Sequence, residues 1–193
     1  MEYDKIKKEI RINKVLNELD KFVIEFLGIL ERYVDYVIIS GYVSILLGRS
    51  RATEDVDIYI KPISFEKLFN LYQELKKNGL WCLNAEEPKE IFSYLKDGLA
   101  IRFSKEGQPI PNFEIKFPKR DVDKETFNDF ITVIFPQAKI KISSLERQIA
   151  FKRYYLKSDK DIEDALHIEE LFKDKIDYDK VNKLKRIIGL IED

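Results

Sequence analysis

With 193 residues, 45% hydrophobic and 36% charged, the chain is long enough for one full core, or for a core with a helical appendage. A formal net charge of −1 excludes a global field that would draw in nucleic acid, so any polyanion contact must come from a local patch. A single cysteine, Cys82, excludes an internal disulfide framework, and the absence of a signal-peptide pattern or an apolar run of spanning length predicts a cytoplasmic protein with no membrane partner. Abundant Lys, Glu and Ile with little Gln tilt the composition toward thermophiles.

Apolar residues from Ile6 to Leu30 recur at roughly helical spacing, which predicts one helix over residues 4–32. Tyr33 to Ile39 is β-branched and aromatic, a strand, and Gly41 breaks it before a short apolar helix over Tyr42–Leu47. Asp55–Lys61 is a second strand, stopped by Pro62. Ser64 caps a helix running to Lys77, Leu80–Leu83 reads as a brief strand, and Glu86–Lys96 reads as a helix with Pro88 in its first turn. Leu99–Ser104 and Asn112–Phe117 alternate and form a hairpin with a long loop. A short helix over Asp123–Phe130, strands over Ile131–Phe135 and Lys139–Ile142, and helices over 143–157, 160–173 and 178–191 complete the chain. A mixed first part followed by an all-helical tail predicts an α+β fold: a core over 1–142 with a mixed β-sheet flanked by helices, and a helical region over 143–193 packed on it.

Residues two apart on a strand share a face, so Asp55, Asp57 and Tyr59 oppose Val56, Ile58 and Ile60. Two neighbouring carboxylates repel each other unless solvent or a divalent cation lies between them. A two-metal phosphoryl-transfer site takes a third acid. Glu114 is the candidate, because it opposes Phe113 and Ile115 on its own strand; the competing reading makes it a surface acid paired with Lys116 or Arg102. Asp121 and Asp123 are rivals in a loop or at a helix start. Gly41 permits a tight turn whose helix offers free N–H groups to phosphate. Arg49, Arg51 and Thr53 precede the acids, within reach of phosphate or a nucleobase, or else form a solvated loop. In the tail, Lys152 falls on the apolar stripe of Leu145, Ile149 and Leu156, which predicts an inward role. Asp161 aligns with Ala165, Ile168 and Phe172, or serves helix-start chemistry behind Ser158. Asp164, one turn on, can hold Lys152 or Arg153, and His167 reads as a helix-surface residue.

Ser40-Gly41, the short helix, Arg51-Ala52-Thr53 and Asp55-Val56-Asp57 together resemble the signature of the nucleotidyltransferase superfamily. The fuller pattern Gly-Tyr-x5-Gly-x2-Arg-Ala-Thr-x-Asp-x-Asp, with Ser143–Lys152 and Lys160–Asp164, is similar to its AbiEii-type branch, which includes toxins of toxin–antitoxin systems. The resemblance spans residues 36–170 and implies a polymerase-β-like palm. It implies Mg²⁺- or Mn²⁺-dependent transfer of a nucleoside monophosphate from an NTP to an RNA or protein hydroxyl, a tRNA end among the acceptors, with an antitoxin as partner. On that basis Asp55, Asp57 and Glu114 hold metal, Glu114 also helping to activate the acceptor, while Lys152 and Asp161 position nucleotide and acceptor. Ser40 and Gly41 cradle the triphosphate, with Arg51, Thr53 and Arg102 as further nucleotide contacts. Ser40 stands where the family has the first glycine of a pair.

Overall fold

The first thirty residues depart from the single helix that their apolar spacing predicts. In the computed structural model, which describes residues 1–192, they form two strands, β1 (Glu2–Asp4) and β2 (Glu9–Arg11), before helix α1 (Glu18–Leu30). Ile10 and Ile12 are both buried, at the strand period, whereas Ile6 is 97% exposed in the turn between the strands. Helix α1 begins where it does because Asn17 and Asp20 form a reciprocal capping box. The Asn17 side chain accepts from the Asp20 N–H (2.8 Å) and the Asp20 carboxylate from the Asn17 N–H (3.1 Å).

The next elements follow the sequence closely: β3 (Tyr36–Ile38), α2 (Gly41–Leu46), β4 (Asp55–Ile60), α3 (Phe65–Lys77, capped by Ser64), β5 (Leu80–Cys82) and α4 (Pro88–Asp97). The hairpin of β6 (Ile101–Lys105) and β7 (Gln108–Lys116) is tighter than expected, because the turn is Glu106-Gly107 alone, with Gly107 at φ +76°. Asp121–Lys124 forms the short helix α5, and Glu125–Phe127 a 3₁₀ turn; Phe130 already belongs to β8 (Phe130–Ile134), which pairs with β9 (Lys139–Ser143). The tail comprises α6 (Leu145–Phe151), a π turn (Lys152–Leu156), α7 (Asp159–Leu171) and α8 (Tyr178–Glu192). Asp193, the last residue of the expected tail region, lies outside the described residues.

Among the described residues the strands form one mixed sheet in the order β1-β2-β8-β9-β3-β4-β7-β6-β5. β4 runs antiparallel to β3 and parallel to β7, and the parallel pairing needs the long crossover through α3, β5, α4 and β6. Val56, Ile58, Phe113 and Ile115 face the core, at most 1% exposed, and Phe26 of α1 stacks on Phe113 with centroids 3.8 Å apart. Each such side chain contributes about 1.5–3 kcal/mol by burial, so this face fixes which residues the opposite face presents. α6 packs on α7 and α8, and α2 packs on α7, which ties the tail to the first half of the chain. No helix among the described residues is long and apolar enough to cross a membrane.

Candidate functional site

The face of β4 and β7 opposite the core carries the acids. In the parallel register Asp55 lies beside Asn112, Asp57 beside Glu114, and Tyr59 beside Lys116. Arg102 of β6 lies opposite Glu114 and donates to its Oε2 from Nε (3.2 Å) and Nη2 (3.0 Å). The Lys116 ammonium reaches both acids, 3.4 Å from Asp57 Oδ1 and 3.5 Å from Glu114 Oε1. Glu114 is therefore paired with both Lys116 and Arg102, as the surface reading expects, while sharing a step of the sheet with Asp57. Burial pushes the Asp57 carboxyl above its ordinary range. Asp55 and Glu114 add to that push, and Lys116 and the Ser40 hydroxyl oppose it. Thr53 does not extend away from the loop; its hydroxyl donates to the Asp55 carbonyl at 2.9 Å and shapes the entry to β4.

The turn before α2 is held from two sides. Ser40 adopts φ +62°, ψ −136°, a backbone region that suits glycine and strains other residues. Gln148 of α6 braces it: in the amide orientation that satisfies its neighbours, Gln148 accepts from the Ser40 N–H (3.2 Å), donates to the Ser40 carbonyl (3.3 Å) and accepts from the Ser143 hydroxyl (2.5 Å). At Gly41 a Cβ would stand 3.1 Å from Arg51 Nη2, so the missing side chain lets the guanidinium lie against the start of α2. Behind it, the buried Tyr42 donates to the buried Asp20 carboxylate at 2.9 Å, and Lys14 pairs with Asp20 at the same distance.

Lys152 is buried, as its place on the stripe predicts, but Leu156 is 44% exposed because the π turn carries it off that stripe. The Lys152 ammonium lies 2.7 Å from Asp164 Oδ2 and 3.5 Å from Asp161 Oδ1. Asp161 also accepts from the Ser158 hydroxyl and follows the Ser158 cap of α7, so the helix-start reading describes it as well. Asp164, fully buried, is the hub: it takes Lys152, Arg51 (2.6 Å) and Arg49, and Arg49 continues to Glu163 and to the Lys160 carbonyl. Burial alone would raise the Asp164 carboxyl, yet Lys152, Arg49 and Arg51 hold it below the ordinary range. Arg51 is thus committed to α7 rather than extended toward a ligand. Arg153, the other cation considered for Asp164, pairs with Glu169. His167 is bound too: its Nε2 lies 3.1 Å from the Leu47 carbonyl.

A cleft of about 300 Å³ opens between the acidic strand face and α6 with its π turn. Of the residues expected at a site, Ser40, Asp57 and Lys152 line it directly; Glu114 and Asp161 each contact a lining lysine from behind. Asp55, Gly41, Arg51, Thr53 and Arg102 are not in its wall. The wall adds Lys116, Tyr59, Phe151, Tyr155, Arg120 and Asp123. Asp123 holds Arg120 through two bonds (2.7 and 2.9 Å), and the guanidinium lies 4.5 Å from the Tyr155 ring centroid. Asp123, a rival for the third acid, is thereby a partner of Arg120 and no neighbour of Asp55 along the sheet. Sequence reasoning assigns no place at the site to Arg120 or Gln148. Gln148 gives no signal of its own, because Glu146, Arg147 and Gln148 are three consecutive polar residues that are all buried, which no amphipathic pattern announces.

Among the described residues no three His, Cys, Asp or Glu side chains converge on one point for a metal ion. A pair does: Asp57 and Glu114 already accommodate a cationic group, the Lys116 ammonium, between them, and their oxygens suit Mg²⁺ or Mn²⁺. Neither a protein-family profile nor a curated relative matches the sequence. Solved structures do match. A lincomycin-bound lincosamide antibiotic adenylyltransferase, LnuA, aligns with TM-score 0.53 at 19% identity, over 82% of this chain and 99% of that one. The antibiotic-resistance factor ANT(2″)-Ia aligns in complex with adenylyl-2″-tobramycin (TM-score 0.52, 12% identity, 90% and 98% coverage) and in solution (0.51, 14%, 90% and 94%). The chain has the nucleotidyltransferase fold, an α+β architecture with its acids on the open face of a mixed sheet.

Proposed function

We propose that this chain transfers a nucleoside monophosphate from a nucleoside triphosphate to a hydroxyl group. The observation that carries the reading is the register of Asp57 against Glu114, with the Lys116 ammonium between them, where Asp57 and Lys116 line a cleft also walled by Lys152. Asp57 and Glu114 would hold a divalent cation, with Asp55 two residues along the same strand face. When bound, that cation would neutralise charge at the phosphates and lower the pKa of the attacking hydroxyl. Glu114 accepts the acceptor's proton, the acceptor oxygen bonds to the α-phosphorus, the bond from that phosphorus to the bridging oxygen breaks, and pyrophosphate leaves. Lys152 balances charge on the phosphates from the opposite wall, and Asp161 and Asp164 orient it.

The sequence resemblance favours an RNA or protein hydroxyl, as for a toxin with an antitoxin partner, whereas the structural neighbours are an antibiotic adenylyltransferase and an antibiotic-resistance factor bound to an adenylylated aminoglycoside. The test covers both. Each of the four labelled NTPs is incubated with Mg²⁺ or Mn²⁺ and, separately, total tRNA, extract protein and a panel of lincosamides and aminoglycosides. Transfer in one arm, lost in Asp57→Asn, is expected. No transfer in any arm, with wild type and variant alike, overturns the reading.

A second reading, a nucleotide-binding member without turnover, has its own support: the strained Ser40 in place of a glycine, and Lys116 lying between the acids. Mg²⁺-dependent thermal stabilisation by an NTP, without transfer, would establish it.

A further inference from the structure

We propose that Lys116 is a resident counter-ion: its ammonium holds Asp57 and Glu114 together until a divalent cation displaces it, and it then turns to the triphosphate. The inference rests on the proposed nucleotidyl transfer and deepens it.

Lys116 lies two residues after Glu114 on β7, so both side chains emerge on the acidic face, and the parallel register sets Lys116 beside Tyr59. Its ammonium lies between two carboxylates belonging to different strands (3.4 and 3.5 Å) and 5.9 Å from the Tyr59 ring centroid. These distances are those of loose ion pairs, longer than the 2.7 Å from Lys152 to Asp164. The side chain is 27% exposed and lines the cleft, so the ammonium can leave without unfolding anything. Lys152, at 1% exposure and locked on Asp164, cannot.

The charges at this face explain why a resident cation is needed. Asp55, Asp57 and Glu114 bring three negative charges to adjacent positions of two strands, and Arg102 neutralises Glu114 from the outer side only. Without Lys116 the Asp57–Glu114 pair would repel across one step of the sheet. A divalent cation bound between those oxygens repels an ammonium within a few ångströms. The four-carbon stem of lysine keeps the displaced group within the cleft, where the incoming triphosphate is the strongest available anion. Lys116 thus opposes metal when the nucleotide is absent and assists nucleotide when the metal is present.

Opposite signs make the test decisive. Free Mn²⁺ is titrated by electron paramagnetic resonance against wild type, Lys116→Met and Lys116→Arg, and affinity for a non-hydrolysable NTP is measured calorimetrically at saturating Mn²⁺. In Lys116→Met, Mn²⁺ should bind roughly threefold to tenfold more tightly, the scale of removing one partly screened charge, while the nucleotide binds several-fold more weakly. Lys116→Arg should stay close to wild type in Mn²⁺ affinity, because it keeps the charge. If wild type and Lys116→Met bind Mn²⁺ equally, or the variant binds it more weakly, the counter-ion role falls while the metal site stands. If none of the three proteins binds Mn²⁺, the metal-dependent reading falls and the role of Lys116 falls with it.

Discussion

Two charge clusters lie on either side of the cleft, built from the same residue types with opposite balance. Around Asp164 three cations converge on one fully buried carboxylate, and its proton affinity is depressed. Around Asp57 three carboxylates share one face of the paired strands β4 and β7, with one lysine between two of them, and the Asp57 carboxyl is raised. The first cluster is satisfied from within the chain and joins the loop after α2 to α7. The second retains excess negative charge next to open space. Nearly equal numbers of acids and bases in the chain as a whole, 35 against 34, conceal this local inequality. Stability and binding are therefore expected to respond in opposite directions to mutations in the two clusters.

The largest effect should come from Asp164→Ala, which strands Lys152 and Arg51 in the interior. A loss of about 3–5 kcal/mol is expected, read as a drop in denaturation midpoint. In the wild type the same group sets an acid limit. Because its folded-state pKa is lowered, its stabilisation is complete above its unfolded-state value near about 4 and is lost as pH falls through the lower folded-state value. Urea midpoints measured from pH 7 to pH 3 should show that decline, and Asp164→Asn should flatten it.

Next in size is Tyr42→Phe, which removes the hydroxyl that Asp20 accepts in the buried layer behind α2 and should cost about 1–2 kcal/mol. Because this network touches neither cluster, nucleotide affinity should hold; a large change there would mean that the clusters are not independent of the layer behind them. Asp57→Asn should abolish transfer yet raise stability by roughly 1 kcal/mol. The sign comes from the raised carboxyl: its contribution favours the fold when protonated and is lost as pH rises through the folded-state value, so the ionised form is a burden at neutral pH. A fall in midpoint for this variant would break the contrast with Asp164. Smallest, Ser40→Gly should gain up to about 1 kcal/mol by relieving the positive φ, partly offset by the greater freedom of glycine in the unfolded chain.

How much of this was legible in the sequence depends on the range of the interaction. Alternation placed Asp55 and Asp57 opposite the apolar residues of β4 and Glu114 opposite those of β7, and stripe geometry placed Lys152 inside, because each is a local periodicity; that the two acidic faces are one comes from the β4–β7 pairing. The same approach failed over residues 4–32. There apolar spacing fits a helix by count, while the backbone chooses a strand pair whose partner, β8, lies far along the chain. The helix starts only after Asn17, where the structure forms the Asn17–Asp20 capping box. Of the Asp164 hub, the Lys152 contact was readable from the turn spacing of α7, but its arginines were out of reach: they are more than a hundred residues upstream, and nothing local distinguishes Arg49 or Arg51 from a solvated loop. Lys116 was visible only as a neighbour for Glu114, since its second partner arrives through the crossover pairing of β4 with β7.

The π turn at Lys152–Leu156 has a consequence for how the cleft can be inherited. A π turn holds one residue more than the α-helix it interrupts. Losing a single residue within 153–156 would restore ordinary pitch with little net rotation at the Lys157–Ser158 corner, because an α turn with one residue fewer winds the chain about as far as the π turn it replaces. The wall formed by Phe151, Tyr155 and Leu156 would lose the bulge between its residues, while Lys152, at the start of the turn, would keep its hold on Asp164. The shape of the outer cleft can therefore change by the gain or loss of one codon, separately from the residues placed against the phosphates.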